Sequence, residues 1–425
     1  MLWPDAAAEF DRLRATLKWV AEHSPYYRRA FESAGVRVDE IRNYEAFRQC
    51  VPILRKTDLV ANQRAHPPFG EFVTVPRKLF GSLHTSPGPI FLPRLPEENQ
   101  GTETLREAIR AMGVAPGEVV HITLSYHIMP GGLRLHRAFE AAGCLVINGG
   151  TGSSQLQVEL ARAWQATVYA GTPSFLAHLV DTARSMSLDP RRDLFYRVGF
   201  STAEMLTPQL RHELQAALGI ELFDHCGEAQ IGPLAGECHV HDGMHLHARD
   251  LFCEFLDPVT GNPAKPGEIG ELVATQLGPR ALPLVRYAPG DAFELIPGSC
   301  RCGRSTPRVR FVGQVGAIRK IKGVLVHPQQ VHRVLQQFPQ VRRFEIVIQH
   351  PPGERYERVR LRIGTDMALP VPDQLAAEIA AAVKSSVLLS MEVEFVPESE
   401  IPEEATRPPY AATIRDLRPG KGALP

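Results

Sequence analysis

Four side chains carry the sharpest chemical pattern in the sequence: Cys238, His245 and the pair Cys300-x-Cys302. Three thiolates and one imidazole form a closed tetrahedral set for zinc, with no open position for water. Two thiols one residue apart do not readily reach each other as a disulfide, whereas a metal bridges them. His239, His241 and His247 compete for the histidine position, and buried reduced cysteines are the alternative reading of the thiols. A second stretch, Ala281-Leu282-Pro283-Leu284-Val285-Arg286-Tyr287-Ala288-Pro289-Gly290-Asp291, reads as a buried strand that turns through Pro-Gly. It would deliver the Asp291 carboxylate to the mouth of a cleft. A lone carboxylate there suits a ribose, whose two hydroxyls can both donate to it.

These groups need a scaffold, and the bulk properties bound its kind. The 425 residues suffice for two or three domains. Lys+Arg and Asp+Glu are both 47, so no net field steers nucleic acid or an anionic membrane. No basic run supports nucleic-acid binding, and no apolar run approaches a membrane span. Seven cysteines in a chain this long do not form a secreted disulfide framework. The N-terminus Met1-Leu2-Trp3-Pro4-Asp5 lacks a basic region followed by an apolar core. The expectation is a soluble cytoplasmic protein without nucleic-acid or membrane partners.

Along the chain, Phe10–Phe31 reads as a helical stretch interrupted near Ser24-Pro25. From residue 105 to 218, apolar strands alternate with helices: strands at 119–124, 143–148, 166–170 and 196–200, helices at 105–112, 133–142, 155–165 and 208–218. That alternation implies a mostly parallel sheet covered on both faces, with sites at the carboxyl ends of its strands. Strands at 252–256 and 268–275, joined through the turn Asp257-Pro258-Val259-Thr260-Gly261, imply a smaller antiparallel subdomain. The remainder reads as strand 308–312, helix 328–338, strands 343–349 and 358–363, helix 372–387 and strand 391–396.

Several motifs in this order resemble the phenylacetate–CoA ligase branch of the adenylate-forming enzymes. They are His23-Ser24-Pro25-Tyr26-Tyr27-Arg28, Val51 to Leu59, His66-Pro67-Pro68-Phe69-Gly70, Gly171-Thr172-Pro173-Ser174, Gly267-Glu268-Ile269-Gly270-Glu271-Leu272-Val273 and the Asp291 motif. The Cys…His…Cys-x-Cys set is similar to a zinc pattern of that branch. The resemblance implies an α/β adenylate-forming fold. Residues 1–312 would form an AMP-binding-like domain with a zinc-bearing subdomain at about 230–305, and 313–425 a small α+β C-terminal lid. It places nucleotide or CoA contacts at Ser86, Gly88, Ala203, Glu204, Asp224, Asp291, Lys320, Lys322 and Gly323. It places an acyl pocket at Tyr126, Gly171, Thr172 and Pro173, and a magnesium-holding carboxylate at Glu228.

The chain departs from the family pattern at four places. The segment Gly81-Ser82-Leu83-His84-Thr85-Ser86-Pro87-Gly88-Pro89 lacks the Thr-Thr-Gly-Lys core of the phosphate loop and reads as a short turn; Pro87 and Pro89 have no N–H to offer. In Phe223-Asp224-His225-Cys226-Gly227-Glu228, Asp224 stands for the tyrosine and Gly227 for the hydroxyl residue. Gln314, Gly316 and Ala317 replace the hinge Arg and Asp residues. Tyr410 falls at the catalytic lysine, and tyrosine cannot supply that charge.

Three functions are therefore expected in turn. The first is activation of an aryl or other small carboxylate as acyl-adenylate and acyl-CoA, with ATP and magnesium use impaired. The second is ATP-independent acyl transfer from acyl-CoA to an amine or a carrier-protein thiol, with His84, His225, Cys226 and Glu228 as candidate groups. The third is a non-catalytic partner in a biosynthetic assembly. Zinc is structural in all three. CoA or acyl-CoA is the cofactor in the first two, and homodimerisation is an expectation carried by the family.

Overall fold

The computed structural model describes residues 6–86, 90–99, 103–247, 249–321, 324–349, 351, 357–366, 373–406 and 413–418. The expected contacts Gly88, Lys322 and Gly323, with Pro87, Pro89 and Tyr410, lie outside the described residues. The chain divides into two compact units. One comprises Met1–Glu254, Val273–Pro289 and Ile296–Val309; the other comprises Phe255–Leu272, Gly290–Leu295 and Arg310–Pro425.

The first unit is built on a parallel sheet. Glu221–Glu228, Val198–Ser201, Val168–Gly171, Val119–Ile122 and Leu145–Asn148 lie side by side in that order, every pair parallel. Alternate side chains leave each strand on opposite faces. Val168 and Ala170 join Ile109, Phe139, Val198 and Phe200 in one core, while Tyr169 joins Leu176, Leu179, Tyr196 and Leu222 in the other. Both faces are thus buried, which is why the strands read as unbroken apolar runs. Helix starts are set by side chains: Thr172 and Thr207 each cap a helix that opens on proline.

Glu221–Glu228 also pairs antiparallel with Gly232–Glu237, which pairs antiparallel with Met244–Leu246. Two expectations fail in this unit. The stretch around His84 is not a simple turn: Ser82–Ser86 and Ile90–Arg94 form an antiparallel hairpin in continuous register. The apolar run Ala281–Val285 is buried but is not a strand; only Tyr287 and Ala288 pair, in parallel, with Leu54 and Arg55. The reason is local. Arg286 adopts a left-handed φ of 44°, which breaks extended geometry before the pairing begins.

The second unit holds a sheet in which Glu392–Pro397, Arg358–Thr365, Arg343–Gln349 and Ile414–Asp416 are neighbours in that order. The middle pair is antiparallel over its whole length and both outer pairs are parallel. Helices Pro328–Leu335 and Asp373–Val387 close one core with Phe344, Ile346, Ile348, Leu361 and Ile363. The strand Ile414–Asp416 carries no expectation from its sequence; its pattern is too short to show periodicity. In the same unit Ile269–Glu271 pair antiparallel with Ala292–Glu294.

Candidate active site and metal centre

The four expected metal ligands converge. One donor atom from each of Cys238, His245, Cys300 and Cys302 lies within 4.8 Å of every other. Cys238 follows the strand Gly232–Glu237, and His245 sits on the strand beside it. Cys300 and Cys302 form a tight turn closed by Gly303 N–H donating to the Cys300 carbonyl at 3.1 Å. The Cys238 and Cys300 sulfurs are 3.7 Å apart, and the Cys302 sulfur is 3.3 Å from His245 Nε2. A disulfide requires about 2.05 Å. A tetrahedral zinc, with bonds of about 2.3 Å to sulfur and about 2.05 Å to nitrogen, sets edges of about 3.8 and 3.6 Å. The donor set and its spacing fit zinc.

Outer partners orient the set. His245 Nδ1 lies 3.2 Å from both the carbonyl and the hydroxyl of Thr306, which leaves Nε2 facing Cys302. Buried Arg308 donates to the carbonyls of Asp242 (2.9 Å) and Pro297 (3.2 Å) and pairs with the Asp242 carboxylate, tying the two cysteine-bearing segments together. Of the competing histidines, His241 is committed elsewhere: Nδ1 is 3.1 Å from Glu237 and Nε2 is 3.1 Å from Glu221.

The remaining site residues of the first unit cluster at the carboxyl ends of the parallel strands. The hairpin docks there. Ser86 is buried and accepts from Gln230 Nε2 at 2.8 Å, and Arg94 Nη2 donates to the Ala229 carbonyl at 2.8 Å. Both hold the hairpin against the turn that follows Glu228. His84 Nε2 lies 2.8 Å from the Ser82 hydroxyl on the same strand.

The strand Glu221–Glu228 separates residues grouped together by sequence. His225 is buried, stacks on Phe200 with ring centroids 3.7 Å apart, and directs Nδ1 at the Phe223 carbonyl (3.1 Å). Burial pulls its pKa down to about 4, so it is neutral. Cys226 is next along the strand. The two candidate groups therefore leave the strand on opposite faces and do not face each other. Gly227 has a steric reason to lack a side chain: a Cβ would lie 2.8 Å from the Gly232 carbonyl oxygen.

Asp224 faces a charge network the sequence did not reveal. Its backbone N–H donates to Glu237 Oε2 at 2.8 Å, and Arg211 grips the same carboxylate with two bonds of 2.9 and 2.8 Å. Burial first, and then the Glu237 charge, push the Asp224 carboxyl well above the usual range.

The acyl-pocket residues lie at neighbouring strand ends. Gly171 is packed so closely that a Cβ would strike the hydroxyls of Thr123 and Tyr169. Thr172 Oγ1 accepts from Phe175 N–H at 3.2 Å, and Pro173 begins the helix. Glu204 reaches that helix start, where its carboxylate accepts from Ser174 N–H at 3.3 Å, and Ala203 before it holds a left-handed φ of 66°. The Tyr126 hydroxyl lies 3.1 Å from His136 Nδ1, while His136 Nε2 lies 3.2 Å from Glu140.

Arg286 is scaffold. It is buried, bonds Glu254 at 2.9 and 3.1 Å, and donates to the carbonyls of Arg48 and Val51 at 2.8 and 2.5 Å. In the second unit, Asp291 opens the strand Asp291–Ile296, and Lys320 lies on Arg319–Ile321. Among the described residues, no helix is long and apolar enough to cross a membrane.

Comparison with known proteins agrees with this architecture. A family model for the AMP-binding enzyme C-terminal domain matches residues 323–413. The phenylacetate-coenzyme A ligase of Pseudomonas putida is 33% identical over 341 residues, 78% of this chain and 76% of that protein. Its counterpart in Thermus thermophilus is 28% identical over 421 residues and 93% of each chain. Among solved structures, an open conformation of 2-hydroxyisobutyryl-CoA ligase in complex with 2-HIB-AMP and CoA superposes with a TM-score of 0.85, at 24% identity, over 97% of this chain and 91% of that one. That likeness extends the shared fold across both units' sequence, and the P. putida likeness is close enough to fix the lineage: the chain belongs to the phenylacetate–CoA ligase family and is an acyl-CoA ligase-like protein.

Proposed function

We propose that the protein handles a small aryl or other carboxylate as its CoA thioester, and that its adenylation step is slow relative to its relatives. In the complete reaction a carboxylate oxygen attacks the α-phosphorus of ATP, and pyrophosphate leaves. The CoA sulfur then attacks the acyl carbon, and AMP leaves. Glu228 would hold magnesium, and Gly171, Thr172, Pro173 and Tyr126 would line the acyl group. Residues from 313 onward would act as the lid. Zinc at Cys238, His245, Cys300 and Cys302 would fix the subdomain without touching substrate.

The observation that carries the slow first step is the phosphate-binding region. The hairpin strands end at Ser86 and resume at Ile90. Only three residues connect them in sequence, and two are prolines without an N–H. At Gly227, the place of the phosphate-touching hydroxyl, the Gly232 carbonyl leaves no room for one. Losing a single positioned donor to a transition-state oxyanion costs about 10²–10³ in rate.

The test measures pyrophosphate release with ATP, CoA and a panel of aryl and short-chain carboxylates. Acyl-CoA with a carrier-protein thiol or an amine forms a second arm. Slow, carboxylate-dependent pyrophosphate release with thioester formation is expected. Acyl transfer without ATP, and no pyrophosphate in any reaction, would replace this reading with an acyltransferase. Silence in both arms would leave a non-catalytic binding role.

A further inference from the structure

Leu145–Asn148 is the last strand of the parallel sheet, and among the described residues nothing pairs with its outer edge. Leu145 N–H donates inward, to the Glu118 carbonyl at 2.9 Å. Backbone groups alternate in direction along a strand, so those of Val146 and Asn148 point outward. An open edge of this kind is a template for another strand, and proteins ordinarily blunt it with lysine, proline, a bulge or a covering segment. Leu145-Val146-Ile147-Asn148 carries neither charge nor proline, and its pairing with Val119–Ile122 runs without a bulge. The hairpin is treated differently: the Gln63 amide closes the edge of Ile90–Arg94, donating to the Phe91 carbonyl and accepting from its N–H, each at 2.9 Å.

The helix Ser154–Ala163 returns from this strand across the sheet. Its Val158 and Ala161 pack into the core with Ile147, Leu176 and Leu179. Arg162 marks the flank turned toward the sheet interior, where it lies 3.5 Å from Asp193. Leu156, Leu160 and Trp164 follow at four-residue intervals on the other flank, above the open edge. Leu156 is 52% and Trp164 54% exposed, with Leu160 half-buried between them. Leu145, on the same sheet face as Ile147, is 63% exposed. Strand edge and helix flank thus form one uncharged apolar border.

Three features select a second copy of this chain as the occupant. About a two-fold axis at Ile147, the strand meets itself antiparallel. Val146 of each copy then faces Asn148 of the other, and each such pair exchanges both backbone hydrogen bonds. The same axis sets Leu160 on Leu160, and Leu156 on Trp164, so the stripe complements itself. Electrostatics favours no unlike partner, because the flank carries no charge for an opposite charge to match. The ten-residue helix rises about 15 Å and the helix–sheet–helix stack is about 30 Å thick, so the border offers on the order of 500 Å² per copy. A total of about 1,000 Å² sits at the lower limit for a specific interface, so the association is reversible. We propose that two copies of the chain pair edge to edge through Leu145–Asn148 and the flank Leu156, Leu160 and Trp164, joining their parallel sheets into one. The inference stands apart from the acyl-CoA reading.

Sedimentation of the full chain from about 1 to 200 µM should show a monomer–dimer equilibrium with a micromolar dissociation constant. Hydrogen exchange should show the Val146 and Asn148 amides gaining protection as concentration rises. Leu156→Lys, which sets an ammonium against Trp164 of the second copy, should raise the dissociation constant at least tenfold. Leu145→Lys should do the same, and neither should lower the melting temperature of the monomer, since both positions are exposed. Leu388→Lys, at an exposed leucine of the second unit, should leave the equilibrium unchanged. A monomer throughout the range, a dimer unaffected by both border variants, or Val146 and Asn148 amides whose protection ignores concentration overturns the proposal.

Discussion

Replacing Cys300 by serine tests the metal centre most directly. A zinc ion held by all four ligands cross-links Cys238 to Cys300, which are 62 residues apart. Treated as a chain cross-link, closure of a loop of that length stabilises the fold by about 4 kcal/mol at 25 °C. For a unit of this size that corresponds to a fall in melting temperature on the order of 10 °C. Metal analysis of the purified protein should return one zinc per chain, and Cys300→Ser should lose it. Thermal unfolding should fall by the stated amount in the variant, and equally when a chelator strips the unmodified protein. Cys50→Ser, at an exposed cysteine outside the cluster, should change neither quantity. Zinc absent from the freshly purified protein would refute the site. Stoichiometric zinc whose removal leaves the melting curve unmoved would refute its structural role.

Three further outcomes follow from the packing. Arg286→Met leaves Glu254 buried, with Tyr44 at 3.3 Å as its remaining side-chain hydrogen-bond partner among the described residues, so stability should fall by about 3–5 kcal/mol. Arg286→Met combined with Glu254→Gln should recover much of that in denaturant unfolding, and a double variant as unstable as the single one would count against the pairing. Asp224 carries a raised pKa in the folded state. Its contribution to stability is therefore fully present below the ordinary carboxylate pKa and is lost as pH rises through the folded-state value. Asp224→Asn should flatten the stability–pH curve above about pH 4, and an unchanged curve would mean that the carboxyl is ordinarily solvated. Gly171→Ala forces a methyl group against the Thr123 and Tyr169 hydroxyls. It should cost about 1–3 kcal/mol, measured by thermal unfolding, and parent-like stability would show that the strand end yields.

Much of this was legible because it depends on order along the chain. Apolar runs separated by amphipathic helices require a doubly covered parallel sheet, since each strand must bury both faces. Ligand chemistry singled out the Cys-x-Cys pair, Cys238 and a histidine as a candidate tetrahedral set, and the fold brings His245 to that group. Prolines at 87 and 89 removed backbone donors whatever the fold around them. Other features depended on which face a residue takes or on what lies across from it. His225 and Cys226 are adjacent in sequence, yet the two-residue repeat of a strand sends them to opposite sides. Glu204 reads as a nucleotide contact in sequence, and only the fold shows that the start of the helix Pro173–Ser185 lies beside it. Arg286 reads as part of a ligand motif, whereas Glu254 and two backbone carbonyls claim it for the core. Arg94, Arg134 and Arg280 are scattered over almost two hundred positions, and only folding brings their charges within each other's field. Composition and spacing determined which chemistries the chain can support. Tertiary structure decided which side chains meet, because burial and Coulomb energy depend on distance through space and not on distance along the chain.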